Sequence, residues 1–84
     1  MSTEEVVKQV LSSVLNLGER VGRFDRTTPL LGALPELDSM AVVSLLTALE
    51  EKFGFTIDDD EVDGRTFASL GNLVAFVEAK LAAA

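Results

Sequence analysis

Eighty-four residues, 48% of them apolar, suffice for one folded core but not for a second. The chain has no Cys and no His, which excludes a disulfide framework, a thiolate nucleophile, Cys/His metal sites and the usual general base of neutral pH. Its net charge of −7, from 14 acidic and 7 basic residues, excludes the basic face that nucleic-acid binding requires.

The first predicted helix spans 3–17. Ser2 and Glu5 fit a capping box at its start, and Val6, Val7, Val10, Leu11, Val14 and Leu17 recur at helical spacing. Gly18 is the expected stop. A long connection, 18–37, follows and contains Gly22, Pro29, Gly32 and Pro35. Loops of this length in small domains are often functional, and Leu30, Leu31 and Leu34 are expected to tuck over the core.

The second predicted helix starts at Asp38–Ser39, either of which suits an N-cap, and runs to Phe53 before Gly54. At about 100° per residue, Val42, Leu45, Leu46, Leu49 and Phe53 share the inward face. Met40, Ser44, Thr47 and Glu51 fall opposite, with Val43 and Glu50 on a flank. Phe55 and Ile57 alternate too briefly to make a strand. Residues 58–63 read as one short acidic turn of helix, closed by Gly64. The last helix is expected from Ser69, its N-cap, to Ala82, with the stripe Leu70, Leu73, Val74, Val77 and Leu81 inward and Ala82–Ala84 frayed. The fold class is therefore all-α: a small four-helix bundle of three longer helices and one short, in a single domain over 1–84.

Residues 1–35 balance four acids against four bases, so 36–84 carry the whole net charge. That asymmetry suits a basic protein surface as partner. The N-terminus is polar and acidic, unlike a signal peptide, and no apolar run approaches the ~18 residues of a membrane span. The expectation is a cytoplasmic monomer.

The stretch 31–54, LGALPELDSMAVVSLLTALEEKFG, carries the most information. It resembles the acyl carrier protein family, including its peptidyl carrier relatives. The matching features are Asp38-Ser39-Met40 at a helix start, an apolar periodic run, the acids Glu50 and Glu51, and Phe53-Gly54. The resemblance continues through Thr66-Phe67 and the Leu73, Val74, Phe76, Val77 pattern. It implies that Ser39, preceded by Asp38, receives a covalent 4′-phosphopantetheine arm from coenzyme A through a phosphopantetheinyl transferase. The arm's thiol would then hold acyl cargo as a thioester, which explains how a chain without Cys or His serves reactive chemistry without being an enzyme. Acyl-loading and acyl-transfer enzymes with basic or apolar patches are the implied partners. Met40, Val43, Glu50 and Glu51 are the implied docking residues.

Ala41 and Ser44 stand where many family members have acids. The surface after Ser39 is thus more apolar than in carriers of primary fatty-acid synthesis, which suggests a specialised biosynthetic pathway. An aminoacyl or peptidyl carrier is the alternative within this class. An unmodified helical adaptor lies outside it, and the intact Asp38-Ser39 argues against that one. Residues 59–64 imitate half of a calcium loop, but its twelfth position is Leu70 rather than a bidentate Glu, so no metal site is expected.

Overall fold

Ser2 caps the first helix, α1 (Thr3–Leu15), accepting from the Glu5 N–H at 3.2 Å. In the computed structural model, which describes residues 2–83, Glu4 and Glu5 then place negative charge on the positive helix end. Val7, Val10, Leu11 and Leu15 form the buried stripe. The helix stops earlier than Gly18. Asn16 takes the left-handed conformation (φ 56°), and Leu17, turned inward, donates its N–H to the Ser12 carbonyl. Asn tolerates that conformation better than most side chains, so it ends the helix where glycine was expected.

The connection to the second helix is not structureless. Gly18–Arg23 is a 3-10 helix, followed by a turn in which the Asp25 carboxylate accepts from the backbone N–H and the hydroxyl of Thr27. These bonds hold the Asp25 carboxyl below its usual range. Beyond the turn the segment pairs with the start of the last helix. Leu30 and Leu31 donate to the Ala68 and Phe67 carbonyls, while Leu70 and Gly71 donate to those of Thr28 and Arg26. Pro29 and Ser69 face each other across this short antiparallel contact. A Cβ on Gly71 would stand 2.7 Å from the Arg26 carbonyl oxygen, so only glycine permits the approach.

A turn corrects the expectation for the three leucines. Leu30 and Leu34 are buried, but Leu31 is 44% exposed. Leu31 opens the turn 31–33, in which the Ala33 and Leu34 N–H groups return to the Leu30 carbonyl, so the two ends of the turn reach the core while Leu31 stays outside.

The second helix, α2 (Ser39–Phe53), is capped by Asp38, whose Oδ1 accepts from the Ala41 N–H at 2.8 Å. Gly54 ends it in the left-handed conformation (φ 76°). Leu45 and Leu49 are fully buried, while Val42, Leu46 and Phe53 are half-buried against the core. A single 3-10 turn, Asp59–Glu61, stands where the short acidic helix was expected; Val62, not Gly64, follows it as cap. The third helix, α3 (Leu70–Ala83), starts after Ser69, whose Oγ accepts from the Asn72 N–H. Leu70, Leu73, Val74 and Val77 are buried, but Leu81 is exposed, one turn past the core. The fraying expected over Ala82–Ala84 is met by helix through Ala83; Ala84 lies outside the described residues.

The three helices thus close on one apolar core, with α1 packed on both α2 and α3. Among the described residues the fold is a small helical bundle with no strand beyond the isolated bridge, and no buried polar side chain. No described helix is long and apolar enough to cross a membrane.

Candidate cofactor-attachment site

The N-terminal end of α2 is the chemically open part of the molecule. Leu34 and Leu37 are buried on the approach to it, and the Leu37 N–H is bound to the Leu34 carbonyl. The chain therefore reaches Asp38 along a fixed path. Asp38 spends one carboxylate oxygen on the Ala41 N–H, and its own carbonyl accepts from Val42. Ser39 is then the first residue of the helix, exposed, and its hydroxyl makes no hydrogen bond among the described residues.

Beside Ser39 lies an open cleft of about 560 Å3, walled by Leu37, Val42, Val62 and Phe67, with Leu31 and Gly64 also on its lining. The long connection, α2 and the segment before α3 each supply part of it. Asp38 and Asp63 bring the charge. Asp63 is held ionised below the usual carboxylate range, first by the Arg65 N–H and then by the Arg65 guanidinium, 3.3 Å away. The amides of Ser39 and Met40 have no intrahelical acceptor, and the positive helix end favours an added phosphate. An exposed hydroxyl, a helix start and an apolar cleft together fit a phosphopantetheine group.

Met40 (77% exposed) and Val43 (62%) stand on the outer face of α2, and Glu51 is exposed further along. Glu50 is different. It is half-buried, and its Oε2 accepts from the Ile57 N–H at 2.7 Å, so it fastens the chain after Gly54 instead of standing free for a partner. The cleft residues Val62 and Phe67 and the exposed Leu31 were not singled out as site residues from the sequence. The pairing of 30–31 with 67–68 brings Leu31 and Phe67 together, and no local pattern announces a contact between segments so far apart.

Comparison with known proteins gives the same picture. A family model described as phosphopantetheine attachment site matches residues 5–77. The chain is 35% identical over 79 residues to an acyl carrier protein of Wolinella succinogenes, covering 93% of this chain and 96% of that one. It is 33% identical over 85 residues to an acyl carrier protein of Exiguobacterium, covering 96% of this chain and 100% of that one. In structure it resembles the solution NMR structure of a holo acyl carrier protein from Nitrosomonas europaea, with a TM-score of 0.90, 54% identity, and coverage of 98% of this chain and 99% of that one.

Fold and site together define a carrier of covalently attached 4′-phosphopantetheine, not a catalyst. The chain belongs to the acyl carrier protein family. Its partners are, by that membership, a phosphopantetheinyl transferase and enzymes that handle acyl groups.

Proposed function

We propose that Ser39 bears the arm and that the chain, acting as one domain over 1–84, presents acyl intermediates in a specialised biosynthetic pathway. The observation that carries this reading is the free Ser39 hydroxyl at the start of α2, on the lining of an apolar cleft. In the loading step the transferase removes the Ser39 proton. The Ser39 Oγ–phosphorus bond forms as the pyrophosphate bond of coenzyme A breaks, and adenosine 3′,5′-bisphosphate leaves with the electron pair. Once attached, the group supplies the thiol on which cargo is held.

The protein's own residues do the rest. Asp38 fixes the first turn of α2 and hence the backbone that carries Ser39. Leu37, Val42, Val62 and Phe67 offer hydrocarbon cargo a partly sheltered path, which favours acyl over aminoacyl loads. The run Ser39–Leu49 is uncharged, which supports a dedicated pathway whose enzymes are not selected chiefly by acids on α2. A free thiol calls for a reducing compartment, and a monomeric cytoplasmic carrier fits that need.

Intact mass after incubation with coenzyme A and a broad-specificity phosphopantetheinyl transferase tests the attachment. The wild type gains one phosphopantetheine and Ser39→Ala gains nothing. A wild type left unmodified beside a modified control carrier, or a gain retained in Ser39→Ala, removes Ser39 from this role.

A further inference from the structure

A phosphodiester on Ser39 brings a negative charge with it, so the charges around Ser39 decide where the root of the arm sits. Asp38 and Asp63 line the same cleft as Ser39. Attachment therefore sets a third negative charge beside two carboxylates. The positive end of α2 offers about half an elementary charge, and it is already shared with Asp38, its cap. The rest of the countercharge has to come from a cationic side chain.

The chain has seven Lys and Arg residues. Three are paired with acids that do not line the cleft: Arg20 with Glu36, Arg26 with Glu4 and Lys80 with Glu61. Lys8 is bound to the Phe24 carbonyl, and Lys52 lines a separate groove between α1 and α2. Arg23 ends the 3-10 helix Gly18–Arg23, none of whose residues lines the cleft. Among the described residues Arg65 alone is tied to an acid of the cleft, with its Nη2 3.3 Å from Oδ2 of Asp63.

The backbone and the side chain of Arg65 are held differently. Its N–H donates to Oδ1 of Asp63 at 2.9 Å, and its carbonyl accepts from Nδ2 of Asn72, on α3, at 2.8 Å. The Thr66 N–H also donates to Oδ1 of Asp63, so the turn keeps its fastening without the guanidinium. The Arg65 side chain is 91% exposed and held only at its tip, by Asp63. A guanidinium presents five N–H donors in a planar fork, enough to keep a carboxylate on one edge and take a phosphate oxygen on another.

The geometry points to Arg65 as the counter-ion of the phosphodiester that joins the arm to Ser39, its guanidinium shared between that phosphate and Asp63. This rests on Ser39 being the attachment residue. The shared guanidinium draws the root of the arm toward the Val62 and Phe67 wall of the cleft and away from the outer face of α2.

The test compares Tm and phosphorus NMR of the full chain before and after loading, with the arm placed at Ser39 by intact mass and fragmentation. In low salt, loading lowers the Tm of Arg65→Gln by about 3 °C more than that of the wild type, and the extra loss fades by about 0.5 M salt. Arg65→Lys keeps the charge without the fork and falls between the two. Arg23→Gln removes the same charge from an element that does not line the cleft, and it behaves as the wild type. The phosphodiester resonance of the loaded wild type shifts as salt is raised, and that of loaded Arg65→Gln stays where it is. The counter-ion is overturned by any of three results: equal Tm changes in wild type and Arg65→Gln, an extra loss that salt leaves intact or Arg23→Gln shares, or a resonance indifferent to Arg65. A wild type that gains no arm at Ser39 while a control carrier is loaded ends the Ser39 reading and the counter-ion with it, and mass shows this before any Tm is compared.

Discussion

The two ends of α2 differ in how they are held. At the C-terminal end almost every group is committed. Gly54 turns the chain, Glu50 holds the Ile57 N–H, the rings of Phe53 and Phe55 stack at 5.8 Å, and Lys80 from α3 lies over Phe55 while bonding both oxygens of Glu61. At the N-terminal end Asp38 makes the cap, and then a free hydroxyl, an open cleft and exposed Met40 and Val43 follow. One helix thus serves as rigid mount at one end and working surface at the other. The comparison teaches where stability and function separate: changes toward Gly54 should act on folding, and changes toward Ser39 on partners.

The sharpest way to break that separation is by truncation. Leu49→Ala, in the fully buried stretch, should cost about 2–5 kcal/mol in denaturant unfolding. Met40→Ala, at the open end, should change stability by less than about 0.5 kcal/mol. A Met40→Ala loss as large as that of Leu49→Ala would show the open end to be part of the core.

The polar fastenings make a smaller contrast. Glu50→Ala leaves the Ile57 N–H without its acceptor and should cost about 1 kcal/mol, with no effect on the modification of Ser39. Asp38→Ala removes the cap and should cost a similar amount, about 1 kcal/mol, but should also slow modification, because it loosens the turn that carries the hydroxyl. Equal modification rates for both variants would mean that the cap has only a structural role.

The smallest effect concerns pH. The Lys80 ammonium, and then the Asp58 N–H, hold the Glu61 carboxyl below its ordinary value of 4.5. A carboxyl whose folded value is depressed contributes stability above its unfolded value and loses it as the pH falls through the folded one. The difference in Tm between wild type and Lys80→Met should therefore be widest near neutral pH and close progressively below pH 4.5. Relief of the general negative charge on acidification affects both proteins and largely drops out of the difference. A gap that persists unchanged in acid would show the contact to be packing of the lysine stem on Phe55.

Much of this arrangement was legible in the sequence because it is local. Asp38, Ser39 and Gly54 delimit α2 through capping chemistry that acts over three or four residues, and the stripe Leu70, Leu73, Val74, Val77 declares α3 by its period alone. What escaped is non-local or lacks a pattern. The 3-10 helix Gly18–Arg23 buries no side chain, so it has no apolar period to read. Leu31 looks like its neighbour Leu30 until the turn at 31–33 sets them apart. Glu50 looks like Glu51 until Ile57 claims it. The site divides in the same way: the serine and its cap belong to a local signature, while the cleft is made by segments some thirty residues distant.

The close approach of Gly71 to the Arg26 carbonyl has a consequence in time. The backbone ladder that steadies residues 26–31 has its other rail at 67–71, nearly at the end of the chain. During synthesis Ser39 emerges before the rail that steadies the connection leading to it. The start of α2 is made early and its setting late, so a chain interrupted before Gly71 carries Ser39 without the ladder that shapes its surroundings.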